Sequence, residues 1–283
     1  MVTDHAQTIV YVNKAFTRLT GYSLEDVVGK TPRLLSSGRH SPEFYREMWD
    51  KIRQTGSWSG EICNRRKSGE MYVEELSITR VTDDDGQTTH YVGMFRDITV
   101  RKNLEAKIRH LALHDLLTGL PNRFLLQERL SEAIAEARQT RSLVGIFYID
   151  LDRFKNVNDN LGHHIGDGLL KQASERIRQC LEERHTIARL GGDELVVVLP
   201  GVASREDCAR IAGRIIGLFE KPFVIEGHEL TVTCSIGISL YPEHGEKGDE
   251  LVRRADHALY EVKNAGRNSY RFYGRNAANF GSD

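Results

Sequence analysis

The sequence predicts an α+β protein: an N-terminal antiparallel sheet with short helices, a helical linker, and a C-terminal domain in which strands alternate with helices. Three observations lead there. Residues 8–95 alternate short β-rich runs with turn residues. Residues 100–114 become rich in Arg, Lys, Glu and Ala, with Leu104, Ile108 and Leu111 spaced four and then three apart. Beyond residue 140, apolar strands alternate with amphipathic helices. A length of 283 residues, at roughly 150 per domain, allows about two domains.

In the first domain, residues 1–99, Thr8–Val12 reads as a strand and Asn13–Gly21 as a short helix stopped by its glycine. Glu43–Thr55 carries Phe44, Met48, Trp49 and Ile52 on one helical stripe. Strands are expected at Gly60–Asn64, Met71–Val81 and Thr89–Phe95, with turns at Lys67–Gly69 and Asp84–Gly86. The linker, 100–114, is either one strand of a short parallel coiled coil or a helix packed on its own domain. The second domain, 115–275, opens on a turn at 117–122 and leaves a tail at 276–283. In it, Leu143–Ile149 is an apolar strand, and Gly168–Leu181, Cys208–Phe219 and Leu251–Lys263 are helices. Thr186–Leu190 and Leu195–Leu199 read as a hairpin around Gly191-Gly192, and Thr231–Leu240 alternates as a half-buried strand.

The chain is 40% hydrophobic and 28% charged, proportions of a globular protein. Lys plus Arg total 39 against 40 Asp plus Glu, so the basic excess of a general nucleic-acid binder is missing. No apolar run approaches the roughly 18 residues that cross a bilayer. Residues 1–20 lack the layout of a signal peptide. Cys63, Cys180, Cys208 and Cys234 are far apart, which favours reduced thiols over a disulfide frame or a zinc site. The expectation is a soluble, cytoplasmic protein without a membrane segment.

Asp150 and Asp152 follow the apolar strand, where a carboxylate is costly unless compensated. A second acidic pair, Asp193-Glu194, leaves the glycine turn. If the two strands are neighbours, Asp150 and Asp193 converge, and clustered hard oxygens suit Mg²⁺ with a phosphate-bearing substrate. Between them, free amides after the strand and Lys155 can hold phosphate oxygens, and Asn158 and Asp167 can bond the edge of a base. Taken singly, each of these also reads as an ordinary polar loop residue. Lys263 and Arg267 lie at and just beyond a helix end, where cations are favoured by the helix dipole alone.

Together, Asp150-Leu-Asp152-Arg-Phe154-Lys155-Asn-Val-Asn158-Asp159, Gly162-His163, Gly166-Asp167, Gly191-Gly192-Asp193-Glu194-Leu195 and Lys263-Asn-Ala-Gly266-Arg267-Asn268 closely resemble the GGDEF family of diguanylate cyclases. Asp115-Leu-Leu-Thr118-Gly119 is similar to that family's opening segment, and the resemblance covers roughly residues 112–275. It implies a central sheet flanked by helices, antiparallel-rich and related to nucleotide cyclases and polymerase palms, and condensation of two GTP into cyclic di-GMP and two pyrophosphates across a homodimer. It implies two Mg²⁺ or Mn²⁺ per GTP site, on Asp150, the Leu151 carbonyl, Asp193 and Glu194, with Glu194 as further ligand or base. It also implies phosphate contacts from Lys155, Lys263, Arg267 and the Arg153 and Phe154 amides, and guanine recognition by Asn158 and Asp167. The alternative is an idle GTP-binding module serving a partner or a missing phosphodiesterase domain.

Two departures stand out. Leu195 replaces the signature's phenylalanine and is expected to pack in the core. The family's inhibitory R-x-x-D slot holds Glu182 and His185, so no product inhibition is expected there.

In the first domain, Asn13-Lys-Ala-Phe16, Trp58-Ser-Gly60-Glu61, Asn64-Arg-Arg-Lys67 and Asp97-Ile98-Thr99 resemble a PAS sensor domain. Met1 falls where such a domain is already in its first strand, so a longer N-terminus is expected. Trp58 and Asn64 resemble the flavin-binding members, which makes FAD one expectation and an empty or small-molecule pocket the other.

Overall fold

The chain divides into two units, Met1–Ile108 and Arg109–Asp283, and the computed structural model describes residues 1–274. The expected domain end at 275 and the tail 276–283 lie outside the described residues.

Unit 1 runs β1 (Val2–Asp4), β2 (Ile9–Tyr11), α1 (Lys14–Thr20), α2 (Leu24–Val27), α3 (Pro42–Thr55), β3 (Ser57–Arg65), β4 (Met71–Thr82) and β5 (Thr88–Asp97). The sheet order is β2-β1-β5-β4-β3 with antiparallel neighbours. Local chemistry sets the helix ends: Asn13 and Ser41 cap α1 and α3, and Gly21 and Gly56 close them in left-handed conformation. Met48 and Ile52, from the expected stripe of α3, bury against Ile62, Leu76 and Ile78 of the sheet. The three-residue β1 has no sequence signature of its own and exists because β2 and β5 flank it.

The linker is α4 (Thr99–Leu113), and none of its side chains is buried. Val100, Leu104, Ile108 and Leu111 remain exposed. The reading in which this stripe packs on its own domain is thereby corrected.

Unit 2 continues with α5 (Arg123–Thr140), β6 (Leu143–Leu151), α6 (Phe154–Leu161), α7 (His163–Gln179), β7 (Thr186–Gly191) and β8 (Glu194–Val202). It closes with α8 (Arg205–Gly217), β9 (Phe223–Ile225), β10 (His228–Leu230), β11 (Cys234–Tyr241), α9 (Gly248–Asn264) and β12 (Tyr270–Phe272). The main sheet is ordered β12-β11-β6-β8-β7, antiparallel except for β12 beside β11. Central β6 is buried on both faces, which explains its unbroken apolar run. Phe147, Ile149 and Leu151 face a core shared with α7 and α8, while Val144, Ile146 and Tyr148 face α5 and α9. Helix α9 presses so closely on β11 that a Cβ on Gly237 would lie 2.0 Å from the Ala255 carbonyl oxygen. That contact is with backbone, which cannot swing aside, so the glycine sets how closely α9 approaches the sheet.

Several elements differ from expectation. Residues 123–140 form a full helix whose buried face is Leu126, Leu130, Ala133, Ile134 and Ala137; its alanines blur the apolar contrast in the sequence. Residues 154–161, read as polar loop, are helix α6, and α7 begins at His163 rather than Gly168. β11 starts at Cys234, not Thr231. The β9–β10 pair and β12 are three-residue strands that their partners create.

Candidate active site

The register of β6 on β8 sets Asp150 opposite Glu194, and β11 sets Ser235 on its other side. Asp150 therefore lies within the strand, which runs to Leu151, rather than just after it. Gly191 pairs with Glu194 as the last residue of β7. The hairpin turn is thus Gly192-Asp193, not Gly191-Gly192. Gly192 takes φ 52° there, a left-handed value that costs glycine little. The turn lifts Asp193 to the sheet edge beside Asp150, so the convergence expected from sequence is present. Leu195 is fully buried opposite Ile149, in a packing position.

Asp150 is 8% exposed, and the Lys263 Nζ, from the last turn of α9, stands 2.7 Å from its Oδ2. Burial first, then the Asp193 carboxylate, lifts Asp150 above the usual carboxylate range against the pull of that ammonium. Asp193 is raised in the same way, by burial with Glu194 beside it, and Lys263 opposes the shift. Asp152 is different. Its carboxylate accepts from the Thr233 hydroxyl at 2.6 Å, the Ser235 hydroxyl at 2.7 Å and the Asn268 amide at 3.1 Å. It ties the end of β6 to β11 and to the chain after α9, and Arg267 Nε lies 4.0 Å away.

After β6 the chain turns through Arg153, at φ 59°, into α6. Among the described residues the amides of Arg153, Phe154 and Lys155 donate no hydrogen bond, as expected of a first helical turn. Lys155 and Asp167 are exposed, and the Asn158 Oδ1 is buried without a partner. Among the described residues no three His, Cys, Asp or Glu are grouped as a ready metal cage. Neighbouring carboxylates that repel one another, one of them buried in the strand, instead match a Mg²⁺ site completed by substrate phosphates. The donors present fit that ion.

Sequence reasoning missed how the turn is held. Arg189 donates to the Gly192 carbonyl through Nε at 2.9 Å and Nη2 at 2.7 Å. Its Nη1 reaches both Asp115 oxygens, at 2.9 and 3.1 Å, and Asp115 also accepts from Thr118. Asp115 comes just after α4, so one bidentate pair joins the start of this domain to the turn bearing Asp193. The residues are 74 apart in sequence, and no local pattern links them.

Glu182 and His185 line an open groove of about 820 Å³ with Arg129, Arg178 and Arg184. Each arginine is paired with an acid: Glu132 at 3.1 Å, Glu175 at 2.7 Å and Glu182 at 2.8 Å. In unit 1, the Trp58 ring covers Gly60 and meets Phe44 edge-on, with centroids 6.0 Å apart. The Asn64 amide donates to buried Glu74 at 3.0 Å. Both side chains thus contribute to the packing of the unit.

No helix among the described residues is long and apolar enough to cross a membrane. The profile of the diguanylate cyclase GGDEF domain matches residues 112–269, and a PAS domain profile matches residues 1–100. An uncharacterized signaling protein of Caulobacter vibrioides is 36% identical over 93% of this chain and 32% of its own length. The bifunctional diguanylate cyclase/cyclic di-GMP phosphodiesterase MucR of Pseudomonas aeruginosa is 46% identical over 58% of this chain and 24% of its own length. The chain thus spans about a third or less of these two relatives. The crystal structure of the GGDEF domain of TpbB from P. aeruginosa, 42% identical, covers 56% of this chain and 99% of that one with a TM-score of 0.55. The chain therefore belongs to the GGDEF diguanylate cyclase family, with a PAS domain ahead of its GGDEF domain.

Proposed function

We propose that the chain is an active diguanylate cyclase, condensing two GTP into cyclic di-GMP and two pyrophosphates in the cytoplasm, as a homodimer regulated by its PAS domain. The observation that carries this reading is the pairing of Asp150 with Glu194 across β6 and β8, beside a turn that presents Asp193. Asp150, Asp193, Glu194 and the Leu151 carbonyl would hold two Mg²⁺ or Mn²⁺, which, when bound, neutralise the phosphates and polarise the attacking hydroxyl. Lys155, Lys263, Arg267 and the Arg153 and Phe154 amides bind the triphosphate, and the leaving pyrophosphate departs toward these cations. Asn158 and Asp167 accept from the N–H donors of guanine, a role for which the unpartnered Asn158 Oδ1 is suited. Glu194 takes the proton of the 3′-hydroxyl as that oxygen attacks the α-phosphorus of the GTP held by the second copy.

Each copy holds one GTP, so the reaction needs two copies face to face. The exposed stripe Val100, Leu104, Ile108 and Leu111 of α4 suits a parallel pairing of linkers. Arg189 and Asp115 then pass the linker's position to the Asp193 turn. At the Glu182–His185 groove the arginines are already neutralised, so product does not inhibit there.

The test is incubation with GTP and Mg²⁺ over a series of protein concentrations, followed by nucleotide chromatography, with Asp193→Ala as control. Cyclic di-GMP formation by the wild type and not by the variant is expected. A wild type that binds GTP but forms no product at any concentration overturns the reading in favour of a GTP-binding regulatory module.

A further inference from the structure

Tyr148 is a buried phenol on a strand face that is otherwise aliphatic. Along β6, Val144, Ile146 and Tyr148 point into the core shared with α5 and α9, and Asp150 follows on the same face. Tyr148 is 7% exposed. A phenol buried to that degree needs a partner for its hydroxyl. The register supplies one. Asp150 lies opposite Glu194 and Tyr148 opposite Val196, so Tyr148 and Glu194 are diagonal neighbours on one face, within reach of an aromatic side chain. The ring itself packs in the core formed with α5 and α9.

We propose that Tyr148 is a positioning residue for Glu194: its hydroxyl donates to the Glu194 carboxylate and fixes the rotamer in which that carboxylate faces Asp150. Glu194 begins β8 directly after a two-residue turn, so its side chain has no preceding strand residue to pack against. One donated hydrogen bond to a charged acceptor narrows that freedom without filling the acceptor sites that a metal or a substrate hydroxyl uses. Phe147, one residue earlier, faces the opposite core without a hydroxyl, so the polar atom occurs on the side where the acids lie.

The inference rests on the cyclase reading, and Tyr148→Phe tests it separately, because it removes one oxygen and leaves the packing of the ring. The expected result is a kcat lower by about tenfold, the size of one hydrogen bond to a charged group, with KM for GTP within about twofold and an unchanged Tm. Crystal structures of the wild type and of Tyr148→Phe read the same point without turnover. The Glu194 carboxylate should lie about 2.7 Å from the hydroxyl in the wild type and leave that rotamer in the variant. An unchanged Glu194 rotamer, an unchanged kcat in an active enzyme, or a large fall in Tm overturns the positioning role. A rotamer change in a protein that forms no cyclic di-GMP supports the positioning and overturns the cyclase reading.

Discussion

Each unit is built on a five-stranded sheet that buries a carboxylate, and the two sheets treat it differently. In unit 1, Glu74 is 2% exposed. It accepts from the Asn64 amide, its Oε2 has no partner, and burial pushes it up to about 7. In unit 2, Asp150 is 8% exposed at the end of its strand and keeps a cation, Lys263, 2.7 Å away. The first acid is sealed with a neutral donor, so it gives up its charge readily. The second lies near the end of its strand, where the Lys263 ammonium reaches it. A third acid, Asp152, completes the contrast, because two hydroxyls and an amide satisfy it within the fold. Burial alone therefore does not distinguish these acids; the kind of partner does.

The sharpest way to break this comparison is to exchange the outcomes at Asp150 and Asp152. Asp150→Ala is expected to lower cyclase turnover by at least about a thousandfold with the Tm retained, since a metal-ligating acid acts on the transition state. Asp152→Ala strands two hydroxyls and should cost about 3–5 kcal/mol in denaturant melts. If Asp152→Ala folds normally and only loses activity, the structural assignment of Asp152 is wrong.

Glu74 gives a pH signature. Its folded pKa, about 7, lies above its ordinary 4.5, so the folded state holds the proton more tightly than the unfolded chain. Its contribution to stability is full below about pH 4.5, declines as pH rises toward 7, and is level above that. The span amounts to about 3 kcal/mol. Glu74→Gln should match the wild type in melts near pH 4 and exceed it at pH 8. A wild type and variant with parallel stability curves would remove the sealed-acid half of the comparison.

Arg189→Lys keeps one charge but cannot bond Gly192 and Asp115 together. Turnover is expected to fall about tenfold, with a loss of about 1–2 kcal/mol in stability. The smallest stability effect belongs to the linker: Ile108→Glu, at an exposed position, should leave the Tm within about a degree. Sedimentation should nevertheless show a weaker dimer, and turnover should need a higher protein concentration.

Much of the fold was legible because it rests on local rules. The stripe of α3, the apolar run of β6 and the strands of the first sheet follow from periodicity, and the helix stops at Gly21 and Gly56 from backbone chemistry. The acids and cations of the site were also legible, since each stands in a recognisable string of residues. Helix α5 escaped notice because alanines occupy part of its buried face, and α6 because its polar residues outnumber Phe154, Val157 and Leu161. The strands β1, β9, β10 and β12 are three residues each, too short for a periodic signal, and exist through their partners.

By itself the sequence determined the order of the two domains, the family of the second, and the strings of acids and cations that mark its candidate site. Those depend on residue identity and near spacing. The tertiary structure decided which of the neighbouring acids is satisfied within the fold and which keeps only a cation. It moved the turn by one residue, to Gly192-Asp193, and it joined Arg189 to Asp115 and set Tyr148 beside Glu194. The reason is one of range: partner, register and burial are fixed by strands and helices that meet across long stretches of chain, and no local pattern encodes that meeting.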